Sequence, residues 1–343
     1  MKKFYVSSRA GLSGICKYSK DFYEFVLKDK GYIFVDSNEG RTAILTKIAS
    51  RDYVHIEIGI FQKKEIEILF AMLDANYKNV VVTLHDAPLL KYPFREFSNP
   101  LLNKVSKFYD IYINKFDRSA GYAKKIKAIY VLSQKGLAII KSKYKIEHVY
   151  YLPHIIDVKE IAISTASNNN FIYLGFIGKN KGIGYSLRLH EQLLKTYPDS
   201  NFYVLGKALG KENIFYNELK ERYTRNVHFL GYVPEEALDA IFDKAMFSLM
   251  PFKDYKFFFP ISGSLLFNLK KGKIIFTNKI NSVAEIINDG KNGFYLSGNI
   301  KQDIKMLVGV LDNKEALADT KAAIQEYLLL HHTAAAVSRQ LQD

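Results

Sequence analysis

The triplet Ser262-Gly263-Ser264, just after the aromatic run that ends at Pro260 and Ile261, has the residue types of a phosphate-binding helix start. Either serine can serve as an N-cap, and the apolar segment Leu265, Leu266, Phe267, Leu269 runs to a helix stop at Lys270-Lys271-Gly272. A helix that begins at a small turn directs free backbone N–H groups and a partial positive charge outward, which suits a diphosphate. A capped structural helix would read the same way, so the segment gains meaning only from its neighbours. Gly178-Lys179-Asn180-Lys181-Gly182 is one of them, a turn that brings ammonium groups to the opening of a second helix. The turn 7–14, which holds Gly11 and Gly14 between a strand and a helical pattern over 15–27, is another. His85-Asp86 follow the apolar run 80–84, and residues just past such a strand sit where α/β sheets bind ligands. A core histidine is the plainer reading of His85. Neither G-x-G-x-x-G nor G-x-x-x-x-G-K-[ST] occurs, which argues against dinucleotide and P-loop chemistry.

The elements that must position these residues are short apolar runs alternating with helical patterns. In the first half the runs are 4–6, 32–35, 54–58, 80–84, 128–132 and 148–152, with helices near 63–73 and 134–143. In the second half they are 171–177, 201–205, 227–230, 247–250 and 273–277, with helices near 185–194, 214–222, 235–245 and 282–288. Continuous rather than alternating apolar strands predict parallel sheets covered on both faces. Pro153 and the polar stretch 158–170 break the pattern and mark a hinge. The expected organisation is a first domain over 1–157, a second over 158–330, and a C-terminal helix over 331–343 that is free to pack back on the first domain.

At 343 residues the chain is long enough for two cores, and its 48% apolar and 14% aromatic content exclude disorder. One cysteine, Cys16, cannot form an internal disulfide, and no stretch approaches the roughly 18 apolar residues of a membrane span. A cytoplasmic chain is expected, either free or held at a membrane face. The net charge of +14 is uneven: residues 1–160 hold 27 Lys+Arg against 17 Asp+Glu, and the remainder 22 against 18. Within 101–127, Lys104, Lys107, Lys115, Arg118, Lys124, Lys125 and Lys127 alternate with Leu101, Leu102, Phe108, Tyr109, Tyr112 and Phe116. Long basic side chains among aromatics suit an anionic membrane or acceptor side. An ordinary amphipathic helix with solvated lysines is an equal reading. Nothing resembling a nucleic-acid-binding signature accompanies them.

Taken in order, Val82-Thr83-Leu84-His85-Asp86, Tyr151-Leu152-Pro153-His154-Ile155-Ile156-Asp157, Leu174-Gly175 through Lys181-Gly182, the stretch 226–234 and Gly272 through Gly293 resemble the GT-B glycosyltransferases of family four, glycosyltransferases group 1. The resemblance spans nearly the whole chain. It implies an α/β GT-B fold, two facing Rossmann-like domains with parallel sheets and an interdomain cleft. It further implies a retaining transferase that moves a hexose-type sugar from a nucleotide-sugar donor to a glycan or lipid-linked acceptor, with neither cofactor nor metal. By that resemblance Lys181 neutralises the diphosphate, with Lys179 standing in for an arginine, the Ser262-Gly263-Ser264 amides cradle it, and the Gly14 loop approaches it. His85 orients the transferred sugar. Two family features are missing. The glutamates usually found with seven residues between them are Phe259 and Phe267 here, and the arginine expected before the Lys-Gly pair is absent. These losses keep open an alternative, a catalytically silent GT-B protein that binds a glycan or serves as a partner subunit.

Overall fold

The computed structural model describes the chain apart from residues 10, 12, 13, 93, 94, 96, 113–119, 157–167, 254–256, 281 and 343 and the side chains of 111, 112 and 120. The expected hinge and Lys115 therefore lie largely or wholly outside the described residues. Two compact units emerge. One comprises 1–157, 255–261 and 334–343, the other 158–254 and 262–333.

The first unit is built on β1 (Lys3–Ser7), β2 (Tyr32–Asp36), β3 (Tyr53–Ile58), β4 (Val80–Leu84), β5 (Ala128–Val131) and β6 (Val149–Tyr151). They form one parallel sheet in the order β2-β1-β3-β4-β5-β6. Side chains alternate across a strand, so the buried inner strands β1, β3, β4 and β5 feed two cores. Val6, Val54, Ile56, Ile58, Val80, Val82, Leu84 and Val131 fill one face. Tyr5, Tyr53, Val81 and Tyr130 lie on the other, under the helix Gly14–Phe22 and its continuation Tyr23–Leu27, a π-helix. Ala334 and Val337, from the short helix Ala334–Ser338, join this second core, and the Tyr130 hydroxyl accepts a hydrogen bond from the Gln342 amide at 2.7 Å.

The second unit has β7 (Phe171–Leu174), β8 (Phe202–Leu205), β9 (Val227–Gly231), β10 (Phe247–Met250), β11 (Ile274–Asn278) and β12 (Phe294–Leu296). All are parallel, in the order β12-β11-β10-β7-β8-β9. Strand addition reverses direction between β7 and β10. Loops leaving the carboxyl ends of two such strands diverge to opposite faces and leave a crevice between them, where Rossmann-type sheets hold phosphates.

Three features depart from the sequence reading. Residues 282–288 form turns rather than a helix: Ala284 and Ile287 make isolated i→i−4 bonds, while the Asn292 side chain accepts from the Asn288 amide and donates to the Ile286 carbonyl. That side chain takes groups a helix would need for its own ladder. Residues 257–261 fall with the first unit rather than the second, since the Phe259 amide donates to the Ala87 carbonyl at 2.8 Å and Ile261 packs against the Tyr5–Tyr130 core. The second unit runs to Thr333, and the final helix is confined to Ala334–Ser338.

Candidate functional site

At the carboxyl end of β7 three loops meet, and two of them approach closely enough to require glycine. Gly206, past β8, has φ +141, and a Cβ there would lie 1.8 Å from the Gly175 carbonyl oxygen. Gly175, past β7, has φ +151, and its own Cβ would lie 3.5 Å from the Ser264 hydroxyl. Backbone is thereby exposed where side chains would otherwise stand, beside the helix Gly263–Lys270. Ser262 caps that helix: its Oγ accepts from the Leu265 amide at 3.3 Å and lies 3.0 Å from Ser264 Oγ. Ser262, Gly263 and Ser264 are all half-buried, so their remaining amides are neither sealed in the core nor fully solvated.

The turn after β7 carries both candidate lysines, and the structure separates them. Lys179 is exposed; its amide donates to Glu212 Oε2 at 3.0 Å and its ammonium lies 5.7 Å from the Phe215 ring centroid. Lys181 is half-buried, with Nζ 5.5 Å from the centroid of Phe252, just past β10. Lys181 is thus at the switch-point strand and Lys179 is directed to the helix Glu212–Arg222. The two phenylalanines in the positions of the family glutamates also separate. Phe267 packs edge-on against Phe242, with centroids 5.4 Å apart, and Phe259 is buried in the first unit.

In the first unit Gly14 is exposed at the first turn of its helix, with open space where a Cβ would be. His85 is only 8% exposed and its Nε2 lies 2.7 Å from Glu57 Oε2. It is a buried histidine, yet one attached to a buried carboxylate rather than to apolar neighbours alone. Glu57, Tyr5 and His55 were missed by the sequence reading. The alternating polar positions in Tyr53–Ile58, His55 and Glu57, are the signal that could have found them.

Of the basic residues proposed for an acceptor or membrane side, Lys104 and Lys107 lie on the helix Pro100–Tyr112, and Lys124 and Lys125 follow the helix Ala120–Ala123. The first helix turns apolar side chains outward: Leu101 is 69% exposed and Val105 59%. Among the described residues no helix is long and apolar enough to cross a membrane, and no group of three or more His, Cys, Asp or Glu could hold a metal ion. A cavity of about 250 Å³ in the second unit is lined by residues including Ile287, Asn288, Lys291, Tyr327 and His331, and by none of those expected around a diphosphate.

Comparison with known proteins agrees with the architecture. Residues 158–327 match the family described as glycosyl transferases group 1. Among solved structures, Anabaena Alr3699/HepE, determined with UDP, is 15% identical, with a TM-score of 0.69 over 99% of this chain and 98% of that one. S. aureus TarM, determined with fondaparinux, α-GlcNAc-glycerol and UDP, is 14% identical, with a TM-score of 0.64 over 87% of this chain; the match spans 56% of TarM. The pneumococcal O-GlcNAc transferase GtfA, determined with UDP and GlcNAc, is 14% identical, with a TM-score of 0.62 over 87% of this chain and 57% of that one. These likenesses establish the GT-B fold, two Rossmann-like units. A search of the curated proteins found no match.

Proposed function

We propose, from the premise that residues 158–327 belong to the glycosyl transferases group 1, that this protein transfers a sugar from a nucleotide-sugar donor to a glycan or lipid-linked acceptor. The observation that carries this reading is the convergence of Gly175, Gly206 and the Ser262-capped helix at the carboxyl end of β7. Close-packed glycines, free helix-start amides and the Lys181 ammonium on the neighbouring turn together suit a pyrophosphate better than an apolar ligand. The structurally similar proteins solved with UDP, or with UDP and GlcNAc, favour a nucleoside diphosphate as the ligand.

In the proposed reaction the bond from sugar C1 to the diphosphate breaks and a C1–O bond to the acceptor hydroxyl forms on the same face. The acceptor proton passes to an oxygen of the departing diphosphate. The protein contributes position and charge: Lys181 and the Ser262–Ser264 amides stabilise negative charge as it develops on the leaving group. His85 orients the sugar. Positive charge at the diphosphate is then supplied by the chain itself, so no metal or cofactor is called for. The exposed apolar residues of Pro100–Tyr112, with Lys104, suit the face of an anionic membrane that presents a lipid-linked acceptor.

A second reading has its own observation. With Phe267 packed on Phe242 instead of offering a carboxylate, one family contact to the donor is gone, as it would be in a silent glycan-binding or partner subunit. Turnover distinguishes the two. Incubation with UDP-, GDP- and CDP-sugars and candidate acceptors should release a nucleoside diphosphate and lose that release on Lys181→Ala. A protein that binds glycan but releases no diphosphate from any donor is the silent subunit.

A further inference from the structure

The sheet face beneath the helix Gly14–Phe22 is polar where an all-apolar face would pack more simply. Parallel register sets Tyr5 beside His55 and Glu57 beside Thr83, and the chain leaving β4 brings in His85. Glu57 is fully buried. Its Oε1 accepts from the Tyr5 hydroxyl at 2.8 Å, and its Oε2 lies 2.7 Å from His85 Nε2. His55 stands 3.7 Å from Glu57 but directs Nε2 to Thr83 Oγ1 at 2.7 Å. Tyr18 meets the His85 ring edge-on at 4.7 Å, and His154 in turn meets Tyr18 at 4.8 Å.

Burying a carboxylate in mid-sheet costs several kcal/mol even when it is paired, and well-packed apolar residues commonly do as well or better for stability. A structural role alone therefore explains Glu57 poorly. Burial pushes the His55 imidazole down to about 4, which keeps it neutral and leaves His85 as the imidazole that shares the carboxylate. Among the described residues His85 Nδ1 makes no hydrogen bond.

We infer that Glu57 is the positioning residue of His85: its carboxylate keeps a proton on Nε2, fixes the ring plane and leaves Nδ1 as the nitrogen a ligand can reach. Two donors converge on the carboxylate, the Tyr5 hydroxyl on one oxygen and the His85 N–H on the other, so both of its oxygens are satisfied. A carboxylate behind an imidazole orients the ring, selects its tautomer and raises the basicity of the other nitrogen, as it does for histidines that bind metals. In the neutral ring Nδ1 is then an acceptor for a sugar hydroxyl. That last step rests on the glycosyltransferase reading; the positioning does not.

Tautomers can be read without turnover. The whole protein labelled with ¹⁵N-histidine, with His85 assigned by its loss in His85→Gln, should show the Nε2–H form of His85 in the wild type. Glu57→Gln, whose amide oxygen can still accept from Nε2–H, should retain that form and the wild-type melting temperature. Glu57→Leu should shift His85 toward a mixture of tautomers. In donor turnover, Glu57→Leu should lower kcat about 10–100-fold with the donor KM within about twofold, Glu57→Gln should stay much nearer the wild type, and adding His85→Gln to Glu57→Leu should lower kcat little further. An Nδ1–H form in the wild type, or a tautomer indifferent to Glu57→Leu, overturns the inference, as does an unchanged kcat in Glu57→Leu. A wild-type protein that turns over no sugar but whose His85 tautomer follows Glu57 supports the positioning and contradicts the transferase reading.

Discussion

Gly182 and Pro251 touch through backbone: a Cβ on Gly182 would lie 1.9 Å from the Pro251 carbonyl oxygen, and Gly182 holds φ +74. This contact ties the lysine-bearing turn after β7 to the end of β10. Gly182→Ala must both occupy the left-handed region and displace backbone. It should destabilise the protein by about 2 kcal/mol or more, read as a lower urea midpoint with unchanged slope. A change under about 0.5 kcal/mol would show that the turn relaxes freely.

Because the turn directs its two lysines differently, they should not be interchangeable. Lys181→Ala should weaken nucleoside diphosphate binding more than tenfold. Lys179→Ala should change it less than threefold, since the Lys179 ammonium lies against Phe215 and its amide bond to Glu212 survives the substitution. Titration calorimetry on both variants checks this, and equal losses would contradict the assignment.

A carboxylate in the first turn of a helix favours the helix but repels a phosphate. Ser264→Asp should therefore keep or raise the melting temperature while abolishing detectable diphosphate binding. Loss of binding together with loss of fold would leave the helix-start amides without support as the cradle.

Two buried histidines set an acid limit on stability. Burial pushes both His55 and His190 down to about 4, against an ordinary value of 6.5. Between those values the unfolded chain binds protons that the folded chain does not, so stability falls as pH drops from 6.5 toward 4. Each full gap is worth on the order of 3 kcal/mol. Urea melts at pH 7, 5.5 and 4.5 should show a progressive loss, with more protons taken up on unfolding at pH 5.5 than at pH 7. A flat profile would mean that these imidazoles titrate alike in the folded and unfolded chain.

In the proposed reaction Lys181 and the helix start supply the positive charge, so removal of divalent cations with EDTA should leave turnover unchanged. Vesicle flotation tests the outward apolar face: binding to anionic vesicles should be lost on Leu101→Asp with Val105→Asp, both residues being well exposed and replaceable without cost to the core.

Much of the fold was legible in the sequence, because the short, mostly apolar runs at Val80–Leu84 and Phe247–Met250 announce strands buried on both faces. The helix start at Ser262 was legible too, since an N-cap is a local property of side chain and backbone. What escaped depended on distant partners. Glu57 acquires its significance only when register brings it beside His85 and Tyr5. The helix expected at 282–288 is undone by the Asn292 side chain farther along the chain. Phe259 leaves its sequence neighbours for the Ala87 carbonyl, and no periodicity in the aromatic run signals that crossing.

Thermal unfolding of the wild type and Lys181→Ala with UDP, GDP, CDP or buffer alone tests for a diphosphate site at the β7–β10 switch point. A ligand that binds only the folded state raises the melting temperature in proportion to the logarithm of its excess over Kd. One nucleoside diphosphate should raise that of the wild type by several degrees and leave Lys181→Ala unmoved. No shift with any of the three at millimolar concentration, or an equal shift in both proteins, would contradict a diphosphate site at the β7–β10 switch point.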